Sequence, residues 1–252
     1  MAVVAIIPAR YGSTRFPGKP LSTIAEKPMI QHVYERALAT PGLDRVLVAT
    51  DDQRIFHAVK DFGGEAVMTS KNHASGTDRI AEVARKVRCQ WIVNLQGDLP
   101  LVRPQTIART LRPALRNANL CMITAKTPIG CAEEWTNPNV VKVVTDAAGF
   151  ALYFSRASIP YIRHPRQGST GEKNPWGYRH LGVYVYRRDF LLKFSRLRQL
   201  PLERSEGLEQ LRALTHGYSI RVVEVDEPSV EVDTPEDLQK ARAYLANTRT
   251  AH

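Results

Sequence analysis

Apolar residues fall along the chain in short runs of three to six, separated by stretches where they recur every three or four positions. This alternation predicts strands spaced by amphipathic helices. Val3 to Ile7 reads as a buried strand, and Pro8 begins the loop after it. Pro28 suits a first helical turn, with Ile30, Val33, Ala37 and Leu38 forming one apolar face to about Ala39. Arg45 to Thr50 predicts a second strand ending in Asp51-Asp52, and Ile55-Phe56-Val59 marks the helix behind it. Ala66 to Met68 reads as a third strand, and Ile80, Val83, Ala84 and Val87 as a helix before the strong strand Trp91 to Leu95. The implied fold class is α/β, a mostly parallel open sheet covered by helices on both faces.

The pattern changes after about Ala125. Val140 to Val144, Ala151 to Phe154 and His180 to Tyr186 predict closely spaced strands, and Pro165 to Trp176 is a Gly-, Pro- and polar-rich loop. Leu208 to Leu214 then reads as helix, Ile220 to Val225 as strand and Pro235 to Leu245 as a closing helix. The expected organisation is a single domain over 1–252, with a core of about 1–125 and 220–252 and a smaller mixed α/β lobe of about 126–219. A chain of 252 residues buries a full core in that arrangement.

Composition narrows the partners. A formal net charge of +10 favours anionic ligands without choosing among nucleotide, nucleic acid and membrane. No zinc-finger spacing or helical basic recognition motif points to nucleic acid, and the pronounced basic cluster sits in one loop. No run of ~18 apolar residues predicts integral membrane association, and no secretory core precedes the first strand. Cys89, Cys121 and Cys131 form no close metal-binding pair, and an odd count of three is consistent with reduced thiols and a cytoplasmic location.

That basic loop, Ile6-Ile7-Pro8-Ala9-Arg10-Tyr11-Gly12-Ser13-Thr14-Arg15-Phe16-Pro17-Gly18-Lys19-Pro20-Leu21, gathers Arg10, Arg15 and Lys19 after the first strand. Two forked guanidiniums and a point charge suit phosphate oxygens, and Gly12 and Gly18 permit close backbone approach. The order is neither a P-loop nor a dinucleotide fingerprint, which argues against ordinary ATPases and dinucleotide oxidoreductases. A solvated basic turn is the alternative. Asp98 follows the strand Trp91 to Leu95, at a strand end where open α/β sheets bind ligands. Asp233, in Val232-Asp233-Thr234-Pro235-Glu236-Asp237, follows another apolar run, and the two carboxylates together suit Mg²⁺ with phosphate oxygens and water. Each also has a plain reading as a turn or helix-start carboxylate.

Several segments taken in order resemble bacterial 3-deoxy-manno-octulosonate cytidylyltransferases: Pro8 to Leu21, Pro28 to Ala37, Ala49 to Arg54, Ser75 to Arg79, Asn94 to Pro100, Pro138 to Pro160, Arg179 to Phe190, Glu206 to Leu214 and Val232 to Leu238. The resemblance implies a nucleotide-diphospho-sugar transferase-like fold and transfer of CMP from CTP to the anomeric hydroxyl of 3-deoxy-D-manno-oct-2-ulosonate (Kdo). Mg²⁺ would be the cofactor, pyrophosphate the by-product, and lipopolysaccharide biosynthesis the use of CMP-Kdo. It implies a homodimer, with 126–219 as the sugar-binding and dimerisation lobe.

Carried over by position, the resemblance assigns Arg10, Ser13, Arg15 and Lys19 to the triphosphate. Ser75, Gly76 and Arg79 fall near cytosine and ribose, although Ser-Gly-Thr-Asp alone is more often a helix cap. Asp98 and Asp233 match the magnesium carboxylates, and Gln96 lies where the sugar arrives. Arg156, His180, Tyr184, Glu209 and Gln210 match the sugar pocket, Arg156 as partner of the sugar carboxylate. Two positions depart from the pattern: Leu99 stands where Glu is usual, and Glu231 where glycine is common. The resemblance leaves two other readings, a cytidylyltransferase for the 8-amino sugar and a catalytically silent nucleotide binder.

Overall fold

The computed structural model describes residues 2–12, 16–163, 176–226 and 231–249. Ser13 and Arg15, and all but Trp176 of the loop expected over Pro165 to Trp176, lie outside the described residues. The amino-terminal half contains β1 (Val3–Ala9), β2 (Thr23–Ile24), β3 (Lys27–Pro28), α1 (Met29–Leu38), β4 (Arg45–Thr50), α2 (Gln53–Asp61), β5 (Ala66–Met68), α3 (Gly76–Lys86), β6 (Trp91–Leu95) and α4 (Pro104–Arg116). The remainder contains β7 (Met122–Pro128), α5 (Ala132–Thr136), β8 (Lys142–Thr145), β9 (Ala151–Ser155), β10 (Tyr178–Arg187), α6 (Arg188–Phe194), α7 (Pro201–Glu206), α8 (Gln210–Thr215), β11 (Ile220–Glu224) and α9 (Pro235–Arg249).

The main sheet runs in the order β5-β4-β1-β6-β10-β7-β11. Strand β10 runs against both neighbours, and every other neighbouring pair in that order is parallel. The period of two along a strand explains how one run serves two cores. In β1, Val3, Ala5 and Ile7 pack with Ile30, Val33 and Ala37 of α1, Val59 of α2 and Leu111 of α4. Val4 and Ile6 face the other way, onto Ile80, Val83 and Ala84 of α3 and Phe190 and Phe194 of α6. The expected helix-covered α/β sheet is present.

The segment expected to form a smaller lobe divides. Strand β10 is built into the main sheet between β6 and β7, whereas β8 and β9 extend from it through the β10–β8 pairing. Pro28 does not enter the first turn: its extended backbone stands just before α1 and closes the small β2–β3 ladder. Leu208 likewise precedes its helix, because Glu209 is the residue from which α8 starts.

Candidate functional site

Strands β4 and β5 continue the sheet from one side of β1, and β6 and β10 from the other, so the chain reverses direction across the sheet beside β1. Open α/β sheets bind ligands at the carboxyl ends of strands flanking such a reversal. There a cleft of about 250 Å³ is lined by Pro8, Ala9 and Arg10 after β1, Gln96, Gly97 and Asp98 after β6, the 73–76 segment with Arg79, and Lys19, Pro20 and Asp233. Its floor depends on absent side chains: a Cβ on Gly97 would lie 3.2 Å from the Pro8 carbonyl oxygen, and one on Gly76 3.3 Å from Pro8 Cγ. Gly18, at φ +74°, returns the basic loop by donating its N–H to Tyr11 O at 2.9 Å.

Asp98 and Asp233 meet as expected, although 135 positions separate them. Val232 N–H donates to Asp98 O at 3.0 Å, which fastens the two segments. The plain helix-start role near Asp233 falls to its neighbours: Asp237 N–H donates to Thr234 Oγ1 at 3.2 Å, and Asp237 Oδ2 accepts from Thr234 N–H at 3.2 Å. Asp233 itself lines the cleft. Lys19 Nζ bridges the pair, 3.1 Å from Asp98 Oδ2 and 3.2 Å from Asp233 Oδ1. Two hard carboxylates converging on one ammonium form a donor set that also fits a divalent cation, which needs oxygen ligands from few residues and the rest from water and phosphate.

The 70–79 segment is held as a shaped wall. Ser75 Oγ accepts from Asp78 N–H at 3.1 Å, so the cap reading of Ser-Gly-Thr-Asp describes its local structure. Arg79, buried, donates to Asp51 Oδ2 at 2.9 Å, Thr69 Oγ1 at 2.5 Å and Ser70 O at 3.3 Å. Glu82 accepts from Ser70 N–H at 2.9 Å and contacts His73 Nε2 at 2.7 Å. Those bonds, that from Ser70 N–H first, hold its carboxyl down to about 2.

A second cleft of about 550 Å³ shares Asp233 with the first and is lined by Asn137, Asn139, Val140, Val141, Arg179, His180, Gly182 and Glu231 among others. Strand β10 changes register against β7 between Leu181 and Tyr184, a bulge that re-aims side chains at this end of the sheet. His180 Nε2 lies 2.9 Å from Thr124 Oγ1, whose hydroxyl lies 2.8 Å from Val183 O. Since that hydroxyl donates to the carbonyl, it accepts from His180, which assigns the imidazole proton to Nε2. Burial, and then Arg179, push the His180 pKa down to about 3, so the ring is neutral at working pH. Burial, and then Asp98, push Glu231 up to about 7.

The remaining expected sugar residues are distributed differently. Glu209 lines a third cleft of about 580 Å³ that shares Ala74 and Ser75 with the first. Its Oε2 accepts from Thr77 Oγ1, joining α3 to α8, and burial raises its pKa. Tyr184 packs between His180 and Tyr186, with centroids at 5.3 and 5.8 Å, and Gln210 is buried at the start of α8. Arg156 spends its guanidinium on backbone, donating to Glu206 O at 2.8 Å and Pro138 O at 3.0 Å.

Three neighbours of the site are not among the residues expected to form it, although Glu231 is a departure from the family pattern. Arg179 and Glu231 line the second cleft. Lys142 supports its wall from beneath, and its signal was present, a lone lysine inside Val140-Val141-Lys142-Val143-Val144.

A cytidylyltransferase family model matches residues 4–221. The chain is 54% identical to a 3-deoxy-manno-octulosonate cytidylyltransferase of Syntrophotalea carbinolica, covering 97% of this chain and 99% of the relative. It is 50% identical to the enzyme of the same name from Geobacter sulfurreducens, covering 97% of this chain and 100% of that one. Among solved structures, CMP:2-keto-3-deoxy-manno-octonic acid synthetase complexed with CTP superposes with a TM-score of 0.92 at 46% identity, covering 98% of this chain and 100% of that one.

Proposed function

The chain belongs to the 3-deoxy-manno-octulosonate cytidylyltransferase family, and from that premise we propose how its clefts transfer CMP from CTP to Kdo. The anomeric hydroxyl oxygen of Kdo attacks the α-phosphorus of CTP and gives up its proton to solvent, the bond to the bridging oxygen of the β-phosphate breaks, and pyrophosphate departs with that oxygen. No covalent enzyme nucleophile is required, so the protein's work is alignment and charge stabilisation.

The observation that carries this reading is the convergence of Asp98, Asp233 and Lys19 beside Arg10 in the cleft between β1 and β6. Asp98 and Asp233 would hold Mg²⁺, which when bound supplies Lewis-acid polarisation of phosphate and neutralises pyrophosphate. Arg10 and Lys19 bring fixed positive charge to the phosphate oxygens, with Ser13 and Arg15 assigned there by family position. Ser75, Gly76 and Arg79 form the nucleoside side, where the bare Cα of Gly76 lets the start of α3 pack closely on Pro8 and Arg79 holds the wall through Asp51.

Kdo enters where the first two clefts meet at Asp233. Gln96 and His180 lie on its path, and the neutral His180 ring, with its proton on Nε2, offers Nδ1 as an acceptor for a sugar hydroxyl. Tyr184, Glu209, Gln210 and Arg156 complete the sugar side by family position, Arg156 recognising the carboxylate and also bracing the wall. The 126–219 segment supplies the sugar side and the dimer contacts of a homodimer, from main-sheet strands as well as from β8 and β9. A cytoplasmic location agrees with three free cysteines and with the absence, among the described residues, of a helix long and apolar enough to cross a membrane.

Pyrophosphate release should require CTP, Kdo and Mg²⁺ together. Asp98→Asn should fold normally and lose turnover by ~100-fold or more, since an anionic cation ligand becomes neutral. Near wild-type turnover in that variant would remove Asp98 from the cation site, and no product from wild-type enzyme with Kdo would overturn the reading.

A further inference from the structure

Lys142 is fully buried, an expensive place for an ammonium unless every proton is matched. All three are matched by main-chain carbonyls: Nζ donates to Asn137 O at 2.8 Å, Val140 O at 2.6 Å and Arg156 O at 2.8 Å. An ammonium has three donors and no acceptor, so this is its complete capacity. Its acceptors lie at both ends of a turn, where Val140 N–H also donates to Asn137 O at 3.1 Å, and on the residue after β9. One charge therefore fastens the 137–140 turn to the far end of β9, the strand that follows β8 and pairs with it.

That turn forms part of the second cleft, to which Asn137, Asn139, Val140 and Val141 all contribute. It is tied on two further sides. Arg156 Nη1 donates to Pro138 O at 3.0 Å, and His180 N–H donates to Val141 O at 2.8 Å. Arg156 is itself held by Glu206, whose Oε2 accepts from Arg156 N–H at 2.9 Å and whose carbonyl accepts from Arg156 Nε at 2.8 Å. The turn's carbonyls thus point inward at Lys142 and Arg156, while Asn137, whose Oδ1 accepts from Asn139 N–H at 2.9 Å, and Asn139 line the cleft.

We propose that Lys142 is a positioning residue for the acidic sugar, fixing the 137–141 wall and Arg156 in one arrangement before the sugar binds. This rests on the reading of the second cleft as the sugar side. Lys142 touches neither nucleotide nor sugar in this account, and its effect passes through the turn. A preformed wall lowers the ordering cost that sugar binding would otherwise meet. The nucleotide cleft is lined by other segments, so the effect is confined to one substrate.

The test compares Lys142→Met and Lys142→Gln with wild-type enzyme in steady-state assays of pyrophosphate release, varying CTP and Kdo separately. The expected result is a rise of ~10-fold or more in KM for Kdo in both variants, with KM for CTP within about twofold of wild type. Hydrogen exchange at the amides of Asn139 to Val141 should quicken, and added Kdo should restore its slowness. A change in thermal stability with both KM values unmoved, or an equal rise in both, would overturn the proposal by making Lys142 a core residue only. Failure of both variants to fold would overturn it in the same way. The wild-type assay separates this from the function itself: turnover of Kdo by wild type with an unmoved sugar KM in the variants refutes only the role of Lys142.

Discussion

Lys19 occupies the point where the two acidic residues converge, and its ammonium does two things by standing there. It offsets the repulsion that Asp98 and Asp233 would feel on sharing one site, and it holds the carboxylates in the orientation a divalent cation would meet. Lys19→Met should therefore lower Tm by about 2–4 °C at low salt without metal, an effect of about 1 kcal/mol for a partly exposed ion pair in a chain of this size. Mg²⁺ should recover most of that loss and raise the variant's Tm by more than it raises the wild type's. Differential scanning fluorimetry with and without Mg²⁺ reads this directly, and an equal metal shift in both proteins would mean that the ammonium and the cation do not share the position.

At the scale of elements, helix α3 shows how one side chain braces a binding wall. Glu82, on the second turn, reaches back to Ser70 N–H and His73 and along the helix to Lys86 Nζ at 3.1 Å. Its carboxyl, ordinarily near 4.5, is held at about 2, so the bonds favour the folded state above pH 4.5 and fade as pH falls through 2. Glu82→Gln should lower Tm at neutral pH, and the gap to wild type should close between pH 4.5 and 2. His73, Ala74 and Ser75 line the nucleotide cleft, so KM for CTP should also rise by several-fold in this variant. A constant Tm gap across that pH range would assign the loss to packing instead of charge.

The same elements explain how far the sequence could be read. Strands β1, β4 and β6 were legible because they are buried on both faces and thus carry uninterrupted apolar runs. Asp98 and Lys19 were legible because a strand end and a Gly-punctuated loop place chemistry at a sheet edge. The position of β10 was not, since insertion between β6 and β7 is a long-range choice that no local period encodes. Lys142 escaped for a related reason: its partners are main-chain carbonyls, which look alike in every sequence. The Ser75 segment carried two signals at once, and its hydroxyl caps α3 at the cleft margin.

The whole molecule brings its two ends together at the site. Residues after β1 and Asp233, just before α9, share one cleft, fastened by the Val232 to Asp98 hydrogen bond and the Lys19 ion pairs. Ligand bound there bridges the chain's first strand, its central strand β6 and its closing helix, so opening any of them releases it. Linkage then requires stabilisation of about 2.7 kcal/mol when CTP with Mg²⁺ is present at 100 times its Kd. For a chain of this length that corresponds to a Tm rise of about 5–10 °C. The Asp98→Asn variant should show a much smaller rise at the same concentrations, because its affinity for the metal–nucleotide pair is reduced while its fold is not. A comparable rise in both proteins would place the stabilising contacts away from the carboxylates. A rise in neither would mean that the cleft at the ends of β1 and β6 does not hold the nucleotide.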